Sequence, residues 1–275
     1  MKRRKLITRV ITYAFLTLMV FVVLFPYYWM IVCSVRDEAE IYTSPPILWP
    51  RSFSLGNYAK VLAGNIPGYF VNSIIISSTA MLLCLVCSIP AAYALARFNF
   101  KGKNTVTSGV LLFKLLPQSA TLIPLYIMLT QTGLMDTKIG LSFVDLFIMV
   151  PYTVRVARGF IKTVPFTIEE AALIDGCSKP RAIVSVILPI ISSGLFAVAL
   201  YAFMLSWEEF LYAYNFTIKN AKTVTVGLVT LIGEDSSDWG AILAGSMMMG
   251  LPILLVFFCL QNSFIKGMVG GAIKG

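Results

Sequence analysis

The chain has 275 residues, of which 58% are hydrophobic and 13% charged, with no histidine and a formal charge of +9. A soluble protein of this length carries roughly twice that charged fraction, so a water-soluble domain is excluded. The +9 is not a nucleic-acid signal either, because no basic face interleaved with aromatics stands on a soluble segment.

Runs of about 20 apolar residues recur, the length that crosses a hydrocarbon core about 30 Å thick. Six are expected, at 10–33, 69–95, 105–130, 139–157, 183–206 and 240–262. The first follows Met1-Lys-Arg-Arg-Lys5 and imitates a signal peptide. It is too long for an h-region and no small-residue cleavage pattern follows, so it is read as a span. Arg155 and Arg158 cut the fourth short. Between spans, 34–68 is turn-rich, with Pro45-Pro46, Trp49-Pro50 and Ser52 to Asn57, and reads as an irregular, packed loop. The 96–104 loop is short and basic, 158–182 is long, and 207–239 carries Glu208, Glu209, Glu234, Asp235 and Asp238.

Lys and Arg are retained preferentially on the cytoplasmic side. With the N-terminus inside, 15 of the 22 fall inside (Lys2, Arg3, Arg4, Lys5, Arg9, Arg97, Lys101, Lys103, Arg155, Arg158, Lys162, Lys179, Arg181, Lys266, Lys274). Six fall outside (Arg36, Arg51, Lys60, Lys138, Lys219, Lys222), and Lys114 lies within a span. Both termini are therefore expected in the cytoplasm. Cys84-Leu-Val-Cys87 imitates a metal or redox pair, but it lies in mid-span with no second pair; Cys33, Cys177 and Cys259 are scattered. No metal site, disulfide framework or catalytic residue is expected. Pro90, Pro117, Pro124, Pro151 and Pro252 are expected to mark kinks.

The 158–182 loop is a polar, helix-forming segment between two apolar runs. Pro165 stops what precedes it, and Thr167 stands three residues before Glu170 as in a capping box. Glu169 and Glu170 suit the positive end of the helix. Ala171 and Ala172 continue it and are small enough for another surface to approach. Gly176 is placed as a left-handed terminator after Asp175. Ser178 can cap a second start, with Pro180 in its first turn. Two short helices with a bend at Asp175-Gly176 are expected. They are too small to bury an apolar face alone, so they lie on the bilayer surface or dock on a partner.

Glu170-Ala171-Ala172, Gly176, Val186, Leu188 and Pro189 resemble the signature loop of ABC-importer permeases, with Val186 where that pattern has Ile. Weaker collinear matches resemble the carbohydrate branch, specifically its maltose-transporter-like second permease. They include Phe25 to Met30, Pro45 to Pro50, Asn72-Ser73, Ala91 to Phe98, Ile123 to Tyr126, Arg158-Gly159-Phe160 and Ser206-Trp207. The resemblance implies an all-α integral membrane protein with the type I ABC-importer permease fold, six transmembrane helices in one domain spanning 1–275, and multi-pass placement in a bacterial-type cytoplasmic membrane. It implies a second permease subunit, two ATPase subunits and an extracytoplasmic solute-binding protein as partners. Contact with an ATPase is carried onto Glu169, Glu170, Ala171, Ala172, Asp175, Gly176, Leu188 and Pro189. No phosphate-cradling Gly-x-x-x-x-Gly-Lys-Ser/Thr loop is present, so ATP and Mg are expected on the partner ATPases and no cofactor on this chain. The outside loops 34–68 and 207–239 are candidate docking surfaces for the binding protein.

Sugars are gripped by aromatic stacking and by carboxylate or amide hydrogen bonds, which makes Trp207, Glu208, Glu209 and Tyr212 candidate pathway residues. Glu208 stands where relatives commonly carry Asn. An interfacial aromatic belt with its carboxylates in water is the alternative. Lys114 and Asp145 are intramembrane charges, expensive unless they face an interior or water-lined surface. Lys114 either lines the pathway or snorkels to the cytoplasm. A permease for another solute, such as a polyamine or phosphate, shares the signature loop. A standalone secondary transporter leaves it unexplained.

Overall fold

The computed structural model describes residues 2–113, 115–232 and 237–272. Lys114, Glu234, Asp235 and Lys274 lie outside the described residues, which are helical with no strand. In chain order the helices are α1 (Lys2–Ser34), α2 (Glu38–Ile41), α3 (Gly56–Ala63), α4 (Ile66–Arg97), α5 (Lys103–Phe113), α6 (Gln118–Gln131) and α7 (Lys138–Thr163). They continue as α8 (Phe166–Ile174), α9 (Lys179–Ala182), a π-helical turn at Ile183–Ile187, α10 (Leu188–Ile190), α11 (Ser192–Trp207), α12 (Leu211–Phe216), α13 (Val224–Val229) and α14 (Trp239–Ala272).

Among the described residues three helices are long and apolar enough to cross a membrane: Ile7–Ser34, Ile66–Arg97 and Lys138–Thr163. They match the expected first, second and fourth spans. The expected third span, 105–130, is interrupted at residues 115–117. Pro117 supplies the reason: it has no N–H to continue the helix, and it drives the residue before it out of helical geometry. Pro117 sits extended at φ −65°, ψ 134° and opens α6. The expected fifth span, 183–206, is also broken, because Lys179–Ile190 and Ser192–Trp207 meet at 87°. A π turn directly precedes Leu188-Pro189, where the proline cannot donate to the carbonyl four residues back. Pro90, Pro124, Pro151 and Pro252 stay inside helices. The fourth span runs past 157, and through Arg155 and Arg158, to Thr163. Arg158 and Lys162 are therefore helical, and the loop starts later than 158.

The chain divides into two compact units, Met1–Pro67 with Gly227–Pro252, and Gly68–Val226 with Ile253–Gly275. In the first, the 34–68 loop is packed. Arg36 is 1% exposed; its guanidinium donates to the carbonyls of Val32 (3.3 Å) and Ile47 (2.9 Å) and lies 5.2 Å from the Trp29 ring centroid. The buried Asn57 amide donates to the carbonyls of Ser34 (3.1 Å) and Arg36 (2.8 Å). Buried polar groups persist only when bonded in this way. Lys60 pairs with Asp238 at 2.7 Å across an exposed surface, a contact of small energetic weight.

In the second unit α7 packs along α11. One core cluster joins Ile76, Leu125, Leu129, Leu141, Val144, Tyr212 and Phe216. A second gathers Ala92, Tyr93, Val154, Ala157, Ile161, Val164, Ile187 and Ile191 around the bent region. α7 opens where the Thr137 hydroxyl accepts the Gly140 N–H at 3.1 Å. A Cβ on Gly140 would stand 2.2 Å from the Leu134 carbonyl oxygen, so only glycine fits. Beside it Asp136, at φ 54°, accepts the backbone N–H groups of Ile218, Lys219, Asn220 and Ala221 at 2.8–3.2 Å. The 220–224 segment is also tied to α4 by the Asn72 amide, which donates to Asn220 and Lys222 carbonyls, and by the Ser73 hydroxyl, which accepts from Val224 N–H.

Candidate functional site: the α8–α9 bend and the turn after α11

The segment 164–182 folds as two short helices with a bend, as its residues dictate, although its start differs from the capping-box expectation. Pro165 occupies the cap position (φ −57°, ψ 138°) and no side chain caps α8. The helix therefore opens one residue before Thr167, which falls inside the first turn. At the other end Gly176 is left-handed at φ +87°. The Gly176 N–H reaches the Leu173 carbonyl (3.1 Å) and the Cys177 N–H reaches the Ala172 carbonyl (3.0 Å). These paired bonds are a Schellman terminator. Ser178 stands at the cap of α9 without a side-chain bond, and Pro180 lies in its first turn.

The two adjacent glutamates face opposite ways. Glu169 is 3% exposed and accepts a hydrogen bond from the Tyr93 hydroxyl. Its other carboxylate oxygen pairs with Arg97 Nε at 2.9 Å. Arg97 also donates to the Val164 carbonyl at 2.9 Å and covers the Phe166 ring at 5.7 Å. Lys179 lies 5.3 Å over Phe98, which meets the Tyr93 ring edge-on. With Ala172 also buried, α8 is clamped onto the end of α4 by one face. The other face presents Glu170, Ala171, Ile174 and Asp175, all exposed, with Ile174 at 85%. Leu188 is half-buried and Pro189 exposed at the π turn beyond α9. Of the residues expected to meet an ATPase, Glu169 and Ala172 are thus turned into the chain itself, and Glu170, Ala171, Asp175 and Gly176 stand outward.

The turn after α11 separates the substrate candidates in the same manner. Trp207 is 1% exposed, stacked on Phe203 and edge-on to Phe70, so its ring is a packing element with no free face for a sugar. Glu209 is buried too; its carboxylate accepts the N–H groups of Tyr212 (2.8 Å) and Ala213 (2.9 Å), closing the start of α12. Burial raises the Glu209 carboxyl above its ordinary range and outweighs those donors. Tyr212 is buried, with its hydroxyl 2.6 Å from that of Thr121, and burial likewise raises its phenol. Glu208 alone of this group is exposed. Lys114 lies outside the described residues. Asp145, the other intramembrane charge, is buried and accepts the Ser206 hydroxyl.

Tyr93 and Arg97 carried no assigned role in the sequence, where both lay in the Ala91 to Phe98 resemblance and Arg97 counted as a topology charge. Their signal is the Tyr-x-x-x-Arg spacing at the end of a span, which sets both side chains on one helix face.

A chain of apolar helices, three of them long enough to cross a membrane among the described residues, with a polar bent helix pair among them, is the layout of a membrane transport subunit. Residues 85–268 match the family described as the binding-protein-dependent transport system inner membrane component. The chain belongs to that family: it is a multi-pass inner-membrane permease subunit of an ABC importer, and the ATPase is a separate polypeptide. It is similar to the trehalose/maltose transport system permease protein MalG of Thermococcus litoralis, 31% identical over 99% of each chain. It is also similar to the diacetylchitobiose uptake system permease protein DasC of Streptomyces coelicolor, 29% identical over 91% of this chain and 92% of that one. A bacterial ABC transporter involved in the import of the acidic polysaccharide alginate has the same fold, with a TM-score of 0.82, 19% identity and coverage of 95% and 98%.

Proposed function

We propose that this permease subunit imports carbohydrate, forms half of a translocation pathway with a second permease chain, and is driven through α8 by one of two cytoplasmic ATPase subunits that bind ATP and Mg. The observation that carries the coupling reading is the opposed pair on α8: Glu169 fastens the helix to α4, which leaves Glu170, Ala171, Asp175 and Gly176 free for a partner groove. A helix held by a buried ion pair on one side moves with the span it is attached to. Force on its outer face then tilts α4 and α7 as rigid bodies, the kind of motion that alternates access.

The carbohydrate reading is supported by the relatives whose names specify diacetylchitobiose, trehalose/maltose and sulfoquinovosyl glycerol uptake. The whole chain acts as one permease domain with six spans, the third and fifth broken, and with both termini in the cytoplasm as its charge bias indicates. A binding protein delivers cargo to the outside loops 34–68 and 207–239. The test is reconstitution of the complete importer with a panel of sugars presented to its binding protein. Sugar-dependent stimulation of ATP hydrolysis is expected. Stimulation by a non-sugar solute alone would overturn the substrate class.

A further inference from the structure

α7 carries two arginines well before its end. Arg155 and Arg158 stand about two turns and one and a half turns ahead of Thr163, inside a helix that is long and apolar enough to cross a membrane. Lys162 continues the same face, since residues three and four apart are neighbours on a helix. Such a row of like charges is unfavourable by itself. The helix macrodipole favours a cation in the last turn, which accounts for Lys162 and leaves Arg155 and Arg158 unexplained.

Neither arginine finds an acceptor in its own chain. Among the described residues no carboxylate pairs with Arg155 or Arg158, and the Arg158 Nε is buried with no hydrogen-bond partner. Glu169, the buried carboxylate that follows α7, is already taken by Arg97 at 2.9 Å. A buried donor without an acceptor is costly, and a charge within a span is costlier still unless it is paired or faces water.

Both arginines line one cavity of about 160 Å³ in the second unit, with Leu95 of α4, Thr107 and Val110 of α5, and Val154 of α7. Leu95 and Val154 are buried, Val110 and Arg158 half-buried, and Arg155 exposed. The Thr107 hydroxyl donates back to the Lys103 carbonyl at 2.8 Å, so the free donors on the wall are the guanidinium groups. The cavity is thus cationic on one side and apolar on the other.

A guanidinium fork matches the oxygens of a phosphate. The apolar wall then discriminates between sources of phosphate. A free phosphate is hydrated on all sides and gains nothing from Leu95, Val110 and Val154, whereas a lipid phosphodiester continues into glycerol and acyl chains. In the orientation proposed above, this end of α7 is cytoplasmic. Anionic lipids populate that leaflet, and basic pockets between spans on that side take their head groups. We infer that α4, α5 and α7 form a binding site for the phosphodiester head group of an anionic phospholipid, held by Arg155 and Arg158. The site is independent of which solute the importer carries.

The test is native mass spectrometry of the complete importer in detergent, titrated with phosphatidylglycerol or with phosphatidylcholine. The unmodified importer is expected to bind its first phosphatidylglycerol at least about tenfold more tightly than phosphatidylcholine. Arg158→Gln and Arg155→Gln are each expected to weaken phosphatidylglycerol about tenfold, the worth of one charge-assisted hydrogen bond, and to leave phosphatidylcholine unchanged. Lys219→Gln removes an exposed positive charge elsewhere and is expected to change neither. Excess inorganic phosphate is expected not to displace the lipid. Equal binding of the two lipids would overturn the site, and so would phosphatidylglycerol binding that survives both arginine substitutions. An equal loss in Lys219→Gln marks general attraction and would overturn it too. Displacement by inorganic phosphate would make the site one for a free anion and overturn the lipid assignment. Gel filtration checks assembly; if Arg158→Gln fails to assemble, the exposed Arg155 decides alone.

Discussion

Replacing Glu169 by Ala removes the carboxylate that accepts the Tyr93 hydroxyl and pairs with Arg97. Glu169 is 4% exposed at its side chain and Arg97 10%, so the pair is shielded from water. Deleting one member of a buried ion pair costs about 3–5 kcal/mol, chiefly because the remaining charge is left without a partner. If that loss falls on the docking of α8 and not on the whole fold, α8 opens more often by roughly 150- to 4,000-fold, at tenfold per 1.4 kcal/mol. Hydrogen exchange of the α8 amides, measured by mass spectrometry on the membrane-embedded permease without its ATPase subunits, reads this directly. Glu170→Ala on the same helix is the control: it is exposed with no bond to its own chain among the described residues, so exchange in α8 is expected to change by no more than a surface substitution allows, about 0.5 kcal/mol. Wild-type exchange in Glu169→Ala, or equal acceleration in both variants, would refute the division of labour between the two glutamates.

Gly176→Val forces a β-branched residue to φ +87°. No atom lies within 4 Å of the added Cβ, so the penalty is backbone strain alone, about 1–3 kcal/mol, expected as a drop in apparent melting temperature and in coupling. Burial pushes the Asp136 carboxyl up, but the N–H donors of Asn220, Ile218, Ala221 and Lys219 prevail and hold it below its ordinary value. Its contribution is therefore fully present above the unfolded pKa of about 3.9 and is lost as pH falls below that through the depressed folded value. Exchange in residues 218–221 is expected to rise over that window, and Asp136→Ala to abolish the pH dependence. Glu209→Ala removes the cap of α12 and is expected to cost about 0.5–2 kcal/mol. Glu209→Gln keeps one acceptor but turns its NH2 group on the second backbone N–H, so it is expected to recover only part of that loss in a thermal melt.

How much of this was legible in the sequence depends on the scale of the cause. Long apolar runs fix α1, α4 and α7 because span length is a property of composition. Gly176 was legible as a terminator because a left-handed residue after a helix strongly favours glycine. The breaks at Pro117 and before Ser192 were not, since proline inside a span is compatible with either a kink or an interruption: Pro90 and Pro151 sit in continuous helices, and Pro117 does not. The inward turn of Glu169 was equally hidden. Adjacent residues on a helix point about 100° apart, and which one faces the protein depends on Arg97 and Tyr93, about 70 residues away in sequence. Trp207 looked like a sugar platform because an aromatic beside carboxylates has that chemistry, yet it is buried, with Phe203 stacked on it and Phe70 at right angles to it. Asp136 gave no local cue, because its donors come from a loop more than 80 residues later.

The coupling claim is tested most directly by the number of sugar molecules imported per ATP hydrolysed, measured in proteoliposomes holding the complete importer with Glu170→Lys in this subunit. Glu170 is exposed and makes no bond to its own chain among the described residues, so the variant is expected to insert and assemble normally. Uptake is expected to fall to background while ATP hydrolysis ceases to follow the loaded binding protein. Normal uptake at an unchanged ratio would contradict the role of α8 as the point where the ATPase drives this permease.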